Sequence, residues 1–138
     1  MKCLIIAAGK GHRLQSKGDS KPLVPLFGIP LIERVVRCAY EAGADEFFVV
    51  TGYRGESVRS FLSILADRLG IRITSIINED WEKENGLSVL KARDFLSEPF
   101  LLLMADHLFD PSIVRNLFAQ PLAKGGMVLG VDTNMTNP

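Results

Sequence analysis

Small residues and fixed positive charge gather near the start of the chain in a pattern suited to holding an anion. The run is Ala7-Ala8-Gly9-Lys10-Gly11-His12-Arg13-Leu14, followed by Ser20-Lys21-Pro22-Leu23-Val24-Pro25. Ala8, Gly9 and Gly11 let backbone N–H groups approach an anion closely, and Arg13 and Lys21 add charge that a glycine loop lacks. The stretch reads as a seat for a polyphosphate. A second candidate is Asp106, which ends the apolar run Leu101-Leu102-Leu103-Met104-Ala105. A charge there is costly unless it is solvated or paired with a cation, and hard cations such as Mg²⁺ favour carboxylate and phosphate oxygens. The plainer alternative is an acid at a helix N-terminus, but Asp110, just before Pro111, fills that role better. His107 reads as an orienting or incidental residue, because a hard-metal site has little use for imidazole. A third candidate is Asn85-Gly86-Leu87-Ser88, in which Asn85 and Ser88 offer hydrogen bonds to a base or ribose and Gly86 permits close approach. The neighbouring Glu82, Lys83 and Glu84 read as a solvated loop face.

These residues need elements to bring them together. Residues 4–7, 47–51, 71–77, 100–104 and 127–131 are short apolar runs, as strands buried on both faces should be. Between them, Leu31, Ile32, Val35, Val36 and Ala39 keep helical spacing after Pro30, and Val58, Phe61, Leu62, Leu65 and Leu69 do so before Gly70 stops the helix. Leu87, Val89, Leu90, Ala92, Phe95 and Leu96 predict a third helix, and Pro111 opens a fourth with Ile113, Val114, Leu117 and Phe118 facing inward. The order βαβαβαβαβ predicts an α/β fold: a mainly parallel sheet with helices on both faces and right-handed crossovers. Ligands bind such sheets beyond the carboxyl ends of the strands. The loop after Ala7, the turn Thr51-Gly52-Tyr53, the stretch 78–86 and Asp106-His107 all fall on that edge.

The bulk properties narrow the partners. At 138 residues the chain fits a single domain. Sixteen basic residues balance sixteen acidic ones, so no overall field favours nucleic acid or an anionic membrane, and the cluster Lys10, Arg13, Lys17 and Lys21 is a local one. Cys3 and Cys38 stand apart among apolar residues and read as core-filling thiols. No apolar run has the length of a membrane span, and none has the form of a signal peptide, which predicts a cytoplasmic protein.

Two common phosphate motifs do not fit. A P-loop needs Ser or Thr after Gly-Lys, and Gly11 follows Gly9-Lys10. A dinucleotide fingerprint needs a third small residue where Leu14 stands and an acid ending the second strand where Thr51-Gly52 stands, which disfavours an NAD-dependent oxidoreductase. Instead, the run from Ala7 to Leu14 followed by Lys21-Pro22-Leu23-Val24-Pro25 resembles the signature of the nucleotidyltransferases that make NDP-sugars and related activated compounds. That family usually places proline before the lysine; here the order is Lys21-Pro22.

The resemblance implies a Rossmann-like, three-layer, GT-A-like domain with a nucleoside triphosphate on this loop. It implies that Arg13 and Lys21 hold the triphosphate, that Ala8 and Gly9 lie near the base, and that Asp106 binds Mg²⁺. Asn85-Gly86-Leu87-Ser88 and Met104-Ala105-Asp106-His107 are most similar to the branch that transfers CMP from CTP to phosphorylated alcohols, including inositol-1-phosphate cytidylyltransferases. Asp132, in Val131-Asp132-Thr133-Asn134, is an acceptor-side candidate on the same ground. Other outcomes open to the family are uridylyl, thymidylyl or guanylyl transfer to a sugar-1-phosphate, or nucleotide binding without catalysis. Relatives of this kind continue into an acceptor-binding part with a second metal-binding aspartate. The resemblance therefore implies a fragment, such as the cytoplasmic portion of a two-part enzyme whose remainder is a membrane-bound phosphatidyltransferase.

Overall fold

The computed structural model describes residues 1–9, 20–52, 55–134 and 136. Four parallel strands form the sheet: β1 (Lys2–Ala7), β4 (Glu46–Thr51), β5 (Arg72–Ile77) and β6 (Phe100–Met104), in the order β5-β4-β1-β6. Between β1 and β4 lies a small antiparallel hairpin, β2 (Pro25–Leu26) and β3 (Ile29–Pro30). The helices are α1 (Leu31–Ala42), α2 (Gly55–Leu69), α3 (Asn85–Lys91) and α4 (Pro111–Phe118).

Alternation along the strands sorts the core into two layers. Cys3, Ile5, Phe47, Val49 and Leu101 point to one face, where they meet Ile32, Val35, Val36 and Ala39 of α1, Val58, Leu62 and Leu65 of α2, and Val114 of α4. Leu4, Ile6, Phe48 and Val50 point to the other, against Ala92, Val89, Leu96 and Trp81. Both faces of the central strands are therefore dry, as a parallel sheet requires. Gly70 ends α2 with φ +66°, a conformation that side chains other than glycine rarely adopt. Glu33 of α1 is buried and accepts from Arg37 Nε at 2.8 Å and from Arg68 Nη2 at 2.9 Å, which ties α1 to α2.

Strand β1 pairs with β4 on one side and β6 on the other, in register from Lys2 to the strand ends. The chain builds outward through β4 and β5, then returns to add β6 beside β1. The order of strands reverses there, so the carboxyl ends of β1 and β6 flank a crevice.

Two expectations need correction, and one element lies outside them. Residues 127–131 form no strand: they join no ladder among the described residues, and Met127, Leu129 and Val131 are exposed. Apolar, β-branched composition favours a strand only when a neighbouring strand supplies its hydrogen bonds. The third helix is shorter than its apolar spacing predicts, because α3 stops at Lys91 and Arg93–Phe95 tightens into a 3₁₀ turn. The hairpin β2–β3 has no counterpart in the sequence reading; its two-residue turn places Phe27 and Gly28 at φ +50° and +77°.

Candidate functional site

The crevice between β1 and β6 opens into a cleft of about 190 Å³ lined by Ile6, Ala7, Gly9, Lys21, Pro22, Asn85, Met104, Ala105 and Asp106. Each wall is set by a different part of the fold. Ala105 N donates to Ile6 O at 3.0 Å, which carries the β1–β6 pairing one residue past the strand and fixes Asp106 at the rim. Lys21 opens a 3₁₀ turn (Lys21–Leu23) closed by Leu23 N donating to Ser20 O and Val24 N to Lys21 O. Pro22 is buried, and Leu31 N donates to Val24 O, so the turn is moored to the start of α1. Arg34 of α1 adds donors to Leu26 O on the hairpin.

The lysine and the aspartate meet. Lys21 Nζ donates to Asp106 Oδ2, and His107 Nδ1 lies 3.1 Å from Oδ1. Burial by itself would push the Asp106 carboxyl up, but the Lys21 ammonium and the adjacent imidazole outweigh it and hold the group below the usual carboxylate range. The carboxylate is thus ionised across the neutral range. Asp110 takes the helix-capping role expected of it: its Oδ1 accepts from Ser112 N at 2.8 Å at the start of α4.

The loop from β5 to α3 forms the other wall. Asn85 begins α3, lines the cleft and is exposed, as is Gly86 beside it. Ser88 lies one layer deeper: it is buried, and its Oγ accepts from Asn78 Nδ2 at 2.9 Å. Asn78 also accepts from Asp80 N at 3.0 Å and donates its own N–H to Thr51 O at 2.8 Å. This buried side chain organises the whole wall, a role the sequence reading did not assign. Its signal was a lone amide directly after an apolar strand. Across the wall, Gly52 passes so close to Trp81 that an added Cβ would collide with the Trp81 Cβ and fall 3.0 Å from Ala8 O. Glycine is required there by space.

Of the remaining sequence candidates, Ala8 is buried at the end of β1, and Gly9 is exposed at the lip of the cleft. Arg13, Gly11, Lys10, Lys17 and Tyr53 lie outside the described residues. Asp132 is exposed, its Oδ1 accepts from Asn134 N at 2.8 Å, and it does not line the cleft. A larger hollow of about 290 Å³ beside α1 includes Arg34, Arg37, Glu41 and Cys38. Its arginines are already engaged with Leu26 O and Glu33, and it lacks the convergence of sheet end, lysine and carboxylate.

Among the described residues no group of three or more His, Cys, Asp or Glu side chains could hold a metal. Among the described residues lining the cleft, Asp106 is the one carboxylate, and such a site fits a hard cation that takes its other oxygens from water and a substrate's phosphates. No helix among the described residues is long and apolar enough to cross a membrane.

Comparison with known proteins bears on the family and the fold. A bifunctional IPC transferase and DIPP synthase from Rubrobacter xylanophilus is 38% identical over 130 residues, covering 94% of this chain and 28% of that protein. A CMP-5'-(3-aminopropyl)phosphonate synthase from Streptomyces rubellomurinus is 32% identical over 126 residues, covering 89% of this chain and 20% of that protein. Among solved structures, the inositol-1-phosphate CTP transferase from T. maritima superposes with a TM-score of 0.76 at 24% identity, over 87% of this chain and 49% of that one. The chain thus spans less than a third of these two curated relatives and about half of the solved one. Its α/β architecture is the Rossmann-like GT-A arrangement of nucleotidyltransferases. Residues 3–137 match the model of the MobA-like NTP transferase domain, and the chain belongs to that nucleotidyltransferase family.

Proposed function

We propose that this chain carries the nucleotide-binding half of a cytidylyltransferase, moving CMP from CTP to a phosphorylated alcohol, with inositol-1-phosphate the favoured acceptor. The observation that carries the reading is the convergence of Lys21 and Asp106 at the β1–β6 crevice, in the cleft that Gly9 also lines. A relative whose name specifies synthesis of a CMP-phosphonate supports cytidine over other bases.

In the proposed reaction a phosphate oxygen of the acceptor attacks the α-phosphorus of CTP. A new P–O bond forms to the acceptor, the bond from the α-phosphorus to the bridging oxygen breaks, and pyrophosphate leaves with that electron pair. The attacking phosphate is already an anion, so no general base is needed and positioning with charge neutralisation supplies the catalysis. Lys21, with Arg13 from the adjoining loop, neutralises charge on the phosphates. Gly9 and the backbone after Ala8 approach the nucleotide, and Asn85 with Gly86 meets its base or ribose, while Ser88 supports that wall through Asn78. Asp106 is the proposed Mg²⁺ ligand, and the ion when bound supplies charge neutralisation at the α-phosphate. The use of CTP implies a cytoplasmic location.

The test is pyrophosphate release with CTP, UTP, dTTP and GTP, each against inositol-1-phosphate, glucose-1-phosphate and mannose-1-phosphate, on the longest natural polypeptide containing this chain. CTP with inositol-1-phosphate should exceed every other pair by at least tenfold. A preference for UTP, dTTP or GTP with a sugar-1-phosphate would move the protein to that branch, and nucleotide binding insensitive to Mg²⁺ without turnover would make it a binding module.

A further inference from the structure

The proposed function makes Lys21 and Asp106 partners of one bound nucleotide, yet without it they are partners of each other. Lys21 Nζ holds Asp106 Oδ2, and the His107 imidazole stands 3.1 Å from Oδ1, so both oxygens of the carboxylate are already faced by a nitrogen. A divalent cation approaching Asp106 meets a resident ammonium in the place it needs. The two cations repel, and the ammonium already supplies the charge that a carboxylate at the end of a buried strand requires.

The two sides of this contact differ in freedom. Asp106 directly follows the Ala105 N to Ile6 O bond and is fixed by the sheet. Lys21 reaches it on a flexible four-carbon stem from a 3₁₀ turn, and its side chain is partly exposed. The lysine can therefore swing away without disturbing the core. A triphosphate in the cleft offers it several oxygens and more negative charge than one carboxylate.

We infer that Lys21 is a built-in counter-ion that occupies the cation position at Asp106 until nucleotide phosphates draw it off, so that nucleotide and divalent cation load together and not metal first. The inference rests on the proposed function for the identity of the nucleotide, and its core is the competition between lysine and metal for one carboxylate. Because binding coupling is reciprocal, CTP tightens the cation at Asp106 by the same factor that the cation tightens CTP.

Mn²⁺ alone is the probe, its free form counted by electron paramagnetic resonance with no nucleotide and no acceptor present. Wild type should bind it weakly. Lys21→Met, which keeps most of the stem and removes the charge, should bind Mn²⁺ at least about tenfold more tightly, within the usual range of coupling between sites. Adding Asp106→Asn to Lys21→Met should abolish the gain. Equal Mn²⁺ affinity in wild type and Lys21→Met overturns the proposal, as does a gain that survives loss of Asp106. A second measurement needs no variant: the rate at which an amine-selective reagent labels Lys21 in wild type, read by mass spectrometry, should be unchanged at low Mg²⁺ and rise severalfold only at Mg²⁺ high enough to outcompete the lysine without nucleotide. A rate indifferent to saturating Mg²⁺ also overturns it. Calorimetry with CTP separates the two claims. Absence of CTP binding defeats the proposed function and leaves the Mn²⁺ comparison intact, whereas CTP binding with unchanged Mn²⁺ affinity in Lys21→Met defeats only the counter-ion role.

Discussion

At the scale of single residues, the site depends on a lysine and an aspartate whose neighbours in sequence say little about each other. Lys21 enters on a short turn near the chain start, and Asp106 follows the last strand of the sheet. Each was legible as a charge with a role of its own, Lys21 beside a glycine loop and Asp106 after an apolar run. Their direct contact was not, because it depends on β6 returning to the side of β1. Under the proposed reaction, removing either charge from the longest natural polypeptide containing this chain should remove stabilisation that matters most when charge develops at the α-phosphate and on the leaving pyrophosphate. Asp106→Asn and Lys21→Ala should each lower turnover by at least about a hundredfold, the scale of losing one preorganised electrostatic contact. Steady-state pyrophosphate release at saturating substrates checks this, and near-wild-type turnover in either variant removes that residue from the machinery. Asn78 stayed hidden for a related reason. A buried amide gains its meaning from its partners, and two of these, Ser88 and Thr51, sit on other elements.

At the scale of elements, hydrophobic spacing located the four strands of the sheet and the helices α1 to α4, since burial on one stripe or both faces leaves a periodic trace. It overextended α3 and invented a strand at 127–131, where apolar composition lacked a partner. It missed β2–β3, whose two-residue strands are too short for any periodicity. The junction between α1 and α2 yields a prediction of its own. Burial raises the Glu33 pKa, but hydrogen bonds and charge from Arg37 and Arg68 outweigh it and leave the group below its ordinary 4.5. A carboxyl lowered on folding contributes stability that is fully present above 4.5 and is lost as the pH falls through the lower folded value. Glu33→Gln should therefore unfold at lower denaturant concentration than wild type at pH 7, with the gap narrowing below pH 4.5. A gap that stays constant across a denaturation series down to acid pH would contradict the ion-pair account.

At the scale of the whole molecule, a sheet whose central strands are dry on both faces supports a site at the carboxyl ends of β1 and β6. Hydrogen exchange should report this as a gradient. Amides of β1 and β4, central and doubly covered, should exchange only with global unfolding, while those of residues 127–131, outside any ladder, should exchange within minutes or faster. Strong protection of 127–131 would show that the segment pairs in solution. The sequence by itself determined the α/β class and the sheet edge at which Lys21 and Asp106 lie, because periodicity, glycine spacing and charge are local properties of the chain. Only the tertiary structure decided that β6 lies beside β1, that Lys21 meets Asp106, and that Asn78 braces the wall behind Asn85. Those are contacts between segments far apart in sequence, set by strand order and register, and no local pattern encodes which distant partner a charge or an amide will find.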